Sequence, residues 1–233
     1  MIDWHTHILP EMDDGSRNVL ESISLIKMQV SQGIDTVVAT PHFYANDETI
    51  DSFLDRRKKA LQLLRSELSD TSPKILLGAE VRYYQGISRM ADLNALRIGD
   101  SKLILLEMPM SSWTEYMVRE LIEMSSRSGI KIVLAHVDRY LTFQKKDVLD
   151  RIFKSDILIQ ANASFFNAIS SKRKALALLR KGNIHLVGSD CHNMASRPPQ
   201  IGKTFEIIKK KFGKDYLQQM NEYGYSLLEI KNN

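Results

Sequence analysis

Met1-Ile-Asp-Trp-His5-Thr-His7 opens the chain as a short β-rich run that stops on two histidines. Residues two apart on an extended strand project from the same face, so the His5 and His7 rings stand side by side. Met12-Asp-Asp-Gly15 follows within a few residues. Imidazoles and carboxylates at this density suit a Zn²⁺, Mn²⁺ or Fe²⁺ ion. The same plan recurs along the chain. Asp35-Thr-Val-Val-Ala-Thr-Pro-His42, Lys74-Ile-Leu-Leu-Gly-Ala-Glu80, Lys102-Leu-Ile-Leu-Leu-Glu107 and Lys131-Ile-Val-Leu-Ala-His136 are apolar runs, each ending on a group that can bind metal. His185-Leu-Val-Gly-Ser-Asp190-Cys-His192 ends on two such groups, and Ile157–Ala163 ends near Asn162.

Helical patterns lie between these runs. Arg17–Gly33 carries Val19, Leu20, Ile23, Ile26 and Val30 at helical spacing and stops at a glycine. Asp47–Ser69, Ser112–Ser128, Lys145–Lys154, Ser171–Lys181, Ile201–Phe212 and Asp215–Lys231 read as further helices, and Gly86–Leu96 as a short helix and loop. Strand followed by helix, seven times over, predicts a parallel sheet with helices outside. In a closed barrel all strand C-termini meet on one face, where such folds place their active sites. Six of the seven runs end in His, Asp or Glu, and only a barrel gathers six ends around one pocket. The expectation is therefore an α/β fold, a distorted seven-stranded TIM-like (β/α) barrel, with residues 1–233 as one domain.

The bulk numbers agree with an ordinary enzyme-sized domain: 233 residues, 43% hydrophobic and 26% charged. No run of about 18 apolar residues suggests a transmembrane helix, and no secretory signal is read at the start. One cysteine, Cys191, allows no intrachain disulfide, which fits a reducing cytoplasm. Net charge is +4 without an arginine-rich arm, and Lys209-Lys210-Lys211 reads as a solvated helix face. No nucleic-acid partner is expected, and the mild positive balance is compatible with an anionic substrate.

Nine residues form the candidate site: His5, His7, Asp14, His42, Glu80, Glu107, His136, Asp190 and His192. A single strand-end histidine would most often be a hydrogen-bonded structural residue. Three or four ligands suffice for one ion, so a set of nine implies two or three ions. Glu80 and Glu107 follow apolar runs, where an unpaired carboxylate is costly and a cation offsets the cost. Asp190 and His192 repeat the two-residue spacing of His5 and His7, which turns Cys191 toward the packed side. Asp13 is the ambiguous neighbour of Asp14: either could be the ligand, and loop cap is the simpler role for Asp13. His185, which starts a strand, is read as structural.

These residues resemble the polymerase and histidinol phosphatase (PHP) superfamily: Asp-x-His-x-His at the start, Pro-His at the second run, strand-end Glu, Glu and His, then Ser-Asp-x-His. Gly-Ala-Glu80, Ala-His136-x-x-Arg139-Tyr and Ser-Asp190-x-His192-Asn…Arg197-Pro-Pro narrow the resemblance. They are similar to bacterial manganese-dependent protein tyrosine phosphatases of capsule and exopolysaccharide operons, over residues 1 to about 212. The resemblance implies a distorted seven-stranded (β/α) barrel with three metals, Mn²⁺ foremost, with Fe, Zn or Mg as alternatives. By position, one ion falls to His5, His7, Glu80 and Asp190, a second to Glu80, Glu107 and His136, and a third to Asp14, His42 and His192. Arg139 and Arg197 match the arginines that hold the phosphate, and arginine's planar fork suits paired phosphate oxygens. The implied partner is a phosphotyrosine protein, a bacterial tyrosine autokinase with a tyrosine-rich tail. The loop after His42 departs from the pattern: Phe43-Tyr44-Ala45 stands where relatives often carry a basic or His residue.

Rival readings differ in chemistry. Cys191-x₅-Arg197 fits the phosphate loop of cysteine-dependent phosphatases, but lacks its glycine and runs into Pro198-Pro199 in place of a helix. An amidohydrolase barrel also opens with His-x-His, yet two phosphate-ready arginines favour a phosphoester. Histidinol phosphatase remains an alternative within the superfamily, and a nuclease would show a basic track that is absent here. A metal-loaded binding module would bind ions without turnover.

Overall fold

The computed structural model describes residues 1–69, 72–126 and 129–228. Strands and helices alternate: β1 (Ile2–Thr6), α1 (Val19–Ser31), β2 (Thr36–Ala39), β3 (His42–Phe43), α2 (Ile50–Arg65), β4 (Lys74–Leu77), β5 (Glu80–Arg82) and β6 (Leu103–Glu107). They continue with α3 (Glu115–Ser125), β7 (Lys131–Leu134), α4 (Val137–Tyr140), α5 (Lys146–Phe153), β8 (Leu158–Asn162), α6 (Ala163–Asn167), α7 (Ile169–Arg180), β9 (Leu186–Gly188), α8 (Ile201–Phe212) and α9 (Lys214–Leu227). The fold is α/β with parallel sheets. One sheet has the order β1-β2-β4 and the other β3-β5-β6-β7-β8-β9, and every pairing is parallel.

Two short interruptions divide the sheets. Thr40-Pro41 parts β2 from β3, and proline has no N–H to give to a ladder. Gly78-Ala79 parts β4 from β5 at the same level. Backbone bonds still cross the gap, from Gly78 N–H to the Ala39 carbonyl (2.8 Å) and from Glu80 N–H to the Pro41 carbonyl (3.0 Å). At the other side of the molecule β9 runs up to β1. Asp190 N–H donates to the His5 carbonyl (2.8 Å), and His7 N–H donates to the Cys191 carbonyl (2.9 Å). Gly188 makes this approach possible, because a Cβ there would sit 2.5 Å from His5 Cβ and 2.8 Å from its nitrogen.

Three of the helices start where a side chain accepts an orphan N–H group. Asn18 accepts from Glu21 N–H ahead of α1, Thr49 from Ser52 N–H ahead of α2, and Thr114 from Met117 N–H ahead of α3. The helix expected over Ser112–Ser128 is shorter, because Thr114 caps it, and Arg127 and Ser128 lie outside the described residues. The end of the helix expected over Asp215–Lys231 also lies outside them. Residues 86–96 form two 3₁₀ turns in place of one short helix.

β6 and β8 are buried along their whole length, as strands covered on both faces are. Alternation divides their side chains. Leu103, Leu105 and Glu107 share one face, and Leu158, Gln160 and Asn162 share another. Leu103, Leu105 and Leu158 join Val133, Ala135, Val38 and Leu186 in a compact apolar cluster. Ile104, Leu106, Ile132, Leu134 and Ile159, of opposite parity, belong to the larger core that the helices cover. Glu107 and Asp190 share the parity of Leu105 and Leu186 and so continue the face that the smaller cluster fills.

Candidate metal centre

The nine expected ligands meet at the C-terminal ends of the strands. Strand register does part of the work, since His42 on β3 stands directly beside Glu80 on β5. Glu80 Oε2 lies 3.1 Å from His5 Nε2, 3.2 Å from His7 Nε2 and 3.2 Å from His42 Nδ1. Its other oxygen lies 2.7 Å from His136 Nε2, which is 3.5 Å from Glu107. Asp190 Oδ1 lies 3.7 Å from His5 Nε2 and 3.5 Å from His7 Nε2. Asp14 reaches in from the first loop, 3.6 Å from His42 Nε2 and 3.3 Å from His192 Nε2.

Several of these contacts cannot be ordinary hydrogen bonds at once. His5 Nε2 and His7 Nε2 are 3.1 Å apart and face the same carboxylate oxygen. His42 Nδ1 and His192 Nε2 approach carboxylates without hydrogen-bond geometry, and His136 Nδ1 is buried without a hydrogen-bond partner. Inward-facing donors this dense, with an orphaned ring nitrogen among them, fit cations better than protons. Three groupings bring ligand atoms close enough to share an ion: His7, Asp14, His42 and His192; His5, His7 and Asp190; and His42, Glu80 and Glu107. In the last, His42 stands with Glu80 and Glu107, the pair to which the family resemblance adds His136. The register beside Glu80 draws His42 in, while His136 approaches Glu80 from β7.

The electrostatics follow from the crowding. Burial would push His7 down, yet Asp13 and Glu80 beside it carry it up to about 10. Burial likewise opposes His136, whose bonds to Glu107 and Glu80 raise it to about 9. Burial and the neighbouring His7 push His192 down to about 4. Burial favours a neutral Glu80, but His5 and His136 outweigh it and hold the carboxyl well below its usual range. Glu80 therefore favours its charged form, which suits metal binding. His136 and Asp190 also have positive φ values of 31° and 54°, a costly region for non-glycine residues that recurs at functional sites.

Residues outside the expected set hold the ligands in place. Asp13 Oδ2 accepts from His7 Nδ1 (2.7 Å) and from His42 N–H (2.8 Å), while its Oδ1 accepts from Gly15 N–H. The loop cap is therefore also the carboxylate that fixes His7's tautomer and leaves Nε2 for the centre. A Cβ at Gly15 would fall 2.4 Å from His7 Cβ, so glycine lets this loop close on the ring. Gln160 Oε1 faces His5 Nδ1 (3.4 Å) and accepts from His136 N–H (2.5 Å). Asn162 Nδ2 donates to Asp190 (2.8 Å), and Asp3 accepts from Ser189 N–H (2.7 Å) and from Gln29 (2.8 Å). Gln160 had a signal in the sequence: an amide inside the apolar run Leu158-Ile-Gln-Ala-Asn162. Arg82, whose Nη1 lies 2.8 Å from Glu107, had none.

Arg139 and Arg197 both pair with Asp190 Oδ2, the latter at 2.7 Å. Both line a cavity of about 350 Å³ together with Asn162, Ser164 and Gln200. Cys191 points the other way. It is fully buried, Gln29 Nε2 lies 3.8 Å from its sulfur, and burial beside Asp3 pushes its pKa far up. A thiol so placed is neither ionised nor open to a phosphate. His185 Nδ1 accepts from Ile159 N–H, a structural bond.

Known proteins are similar to this chain in sequence and fold. Residues 1–224 match the family model described as capsular polysaccharide synthesis, CpsB/CapC. The chain is 29% identical over 238 residues to the tyrosine-protein phosphatase YwqE of Bacillus subtilis (strain 168), covering 98% of this chain and 91% of the relative. It is 30% identical over 230 residues to the tyrosine-protein phosphatase CpsB of Streptococcus pneumoniae, covering 91% of each. A crystal structure from a study of YwqE and CpsB, described as unique metal-dependent tyrosine phosphatases, superposes with a TM-score of 0.81 at 26% identity. It covers 100% of this chain and 96% of the other. The chain belongs to the CpsB/CapC family of capsular polysaccharide synthesis proteins.

Proposed function

We propose that this chain is a metal-dependent protein tyrosine phosphatase acting in capsule or exopolysaccharide synthesis. The observation that carries the reading is the convergence of nine ligand groups and two arginines at one end of the sheet. It stands in a chain whose relatives are named tyrosine phosphatases. We assign His5, His7, Glu80 and Asp190 to one ion, Glu80, Glu107 and His136 to a second, with His42 beside them, and Asp14, His42 and His192 to a third. Mn²⁺ is the proposed native metal, with Fe, Zn or Mg as substitutes, since His/carboxylate sites accept several ions. Bound there, such ions supply Lewis acidity and a nucleophilic water.

The chain's own residues complete the site. Arg139 and Arg197 present guanidinium donors to the phosphate and to the charge that grows on its equatorial oxygens. Asp190 holds both arginines, and Asn162 holds Asp190, so the donors are in place before substrate arrives. A tyrosine side chain leaves as a phenolate of pKa about 10, which lessens the need for a strong general acid.

The sheet is read here as a distorted seven-stranded barrel in one phosphatase domain. Joining β2 to β3 across Pro41 and β4 to β5 across Gly78-Ala79 leaves seven strands in sequence order. The bonds between β9 and β1 support closure. A cytoplasmic location and an autophosphorylating tyrosine kinase as substrate complete the proposal. No helix of the described residues is long and apolar enough to cross a membrane.

The test uses purified protein stripped of metal and then given Mn²⁺, assayed on a phosphotyrosine peptide and on histidinol phosphate. Mn²⁺-restored hydrolysis of phosphotyrosine, unchanged in Cys191→Ser, is the expected result. Hydrolysis of histidinol phosphate alone would change the substrate, and no turnover despite bound metal would refute the phosphatase reading.

A further inference from the structure

Two cavities flank the ligand cluster, and they differ in character. The one lined by Arg139 and Arg197 holds about 350 Å³ and carries two guanidinium groups. The other, about 660 Å³, lies on the side of Asp14 and His42, with Tyr44, Met12 and Arg56 on its wall. That second cavity is poorly suited to a phosphate. Asp13, Asp14, Asp47 and Glu48 line it. Its lining guanidinium, Arg56, is engaged by Glu48 (3.1 Å) and by the Met12 carbonyl (3.0 Å) and stands against four carboxylates. In the first cavity Arg139 and Arg197, although both pair with Asp190, set two guanidinium groups against only two carboxylates, Asp138 and Asp190. A substrate dianion bound at the cluster therefore places its anionic oxygens toward Arg139 and Arg197, and its leaving group toward Tyr44.

Tyr44 is built to receive one. Its ring stacks on the His42 ring, with centroids 5.3 Å apart and planes inclined by 26°, so it stands beside the cluster. It is half-buried and lines the open cavity. Among the described residues that line this cavity, it and His42 are the only ones with aromatic rings. From this geometry we infer that Tyr44 is the platform of an aryl subsite, which takes the ring of an aryl phosphate and selects it over an alkyl phosphate. Ring-on-ring contact suits the task because aromatic pairs add affinity beyond the area they bury. The inference rests on the phosphatase reading and deepens it, and it assigns a role to Tyr44, which follows β3.

The experiment measures binding of phenylphosphonate and methylphosphonate, two non-hydrolysable probes, to the Mn²⁺-loaded full chain by calorimetry. Wild-type protein should bind the phenyl probe more tightly. Tyr44→Ala and Tyr44→Leu should each weaken it about three- to tenfold, the range of one aromatic pair, and leave methylphosphonate unchanged. Tyr44→Phe should keep the preference. In turnover of a phosphotyrosine peptide, the loss should fall on KM with kcat preserved. Equal loss for both probes, or a fall in kcat with bound Mn²⁺, would reduce Tyr44 to a prop for His42 and overturn the subsite. So would unchanged phenylphosphonate binding in both truncations. Because the probes are not turned over, a chain that binds them with this selectivity but spares phosphotyrosine would refute the phosphatase reading and keep the subsite.

Discussion

Two buried glutamates show how neighbours reveal a carboxylate's purpose. Glu80 and Glu120 are 1% and 3% exposed, and burial disfavours the charge of each. Glu120, on α3, is answered by donors of known polarity: the Tyr83 hydroxyl (2.7 Å), Ser88 N–H (3.1 Å), Gly86 N–H (3.3 Å) and the Ser88 side chain. It ties the turn after β5 to α3, and the tie is complete within the protein. Glu80 is answered by four imidazoles, of which His5 and His7 compete for one of its oxygens. Nothing in the fold requires four rings around one carboxylate. Glu120 is a structural knot, and Glu80 is the middle of a site that cations complete.

Exchanging charge for amide should separate the two. Glu80→Gln should cut phosphotyrosine hydrolysis more than about 100-fold, above the range that outer-shell partners carry, and lower the Mn²⁺ bound per chain. Metal content measured beside turnover checks it, and retention of both within threefold would break the comparison. Asp13→Asn should act more mildly. It keeps the side chain's shape but weakens the bond that sets the His7 tautomer, so Mn²⁺ affinity should fall about 10- to 100-fold. A competition titration with a chelator reads that change.

Glu120→Ala should do the reverse, costing about 1–3 kcal/mol of stability because buried donors lose their acceptor. Urea unfolding measures the cost, while activity per folded molecule and Mn²⁺ content stay near wild type. Adding Mn²⁺ should stabilise wild type and Glu120→Ala by the same amount, about 2.7 kcal/mol when free metal is 100 times Kd. Unequal stabilisation would mean that the knot and the site are coupled through Tyr83, whose N–H donates to the Glu107 carbonyl.

The contrast also governs what the sequence could reveal. Glu80 was legible because it ends an apolar run, and five other runs end the same way; the repetition named the residue and the face. Glu120 was illegible because a glutamate inside a helix looks like any solvated one, and its partners come from a turn more than 30 residues away. Alternation settled Cys191, which sits buried as its parity requires. It could not rank Asp13 against Asp14, since neighbours on a loop have no fixed parity. The structure turns Asp13 to His7 and Asp14 to His42 and His192. The breaks at Pro41 and Gly78 were also hidden, because a strand-length apolar run reads the same whether or not its ladder skips a residue.

Acid offers the subtlest test of the same contrast. Burial pushes Glu120 up, but its bonds to Ser88, Tyr83 and Gly86 prevail and hold its pKa below the ordinary value. A carboxyl depressed in the folded state adds stability that is present above its unfolded pKa, about 4.3, and is lost as pH falls through the folded value. Glu120→Gln has no such titration. The stability gap between wild type and Glu120→Gln should therefore hold steady from pH 7 to about 5 and narrow below about 4.3. Both proteins should be measured free of metal, so that the ligand cluster titrates alike in each and cancels in the difference. A gap that stayed constant into acid would show that Glu120 acts through shape alone and not through its charge.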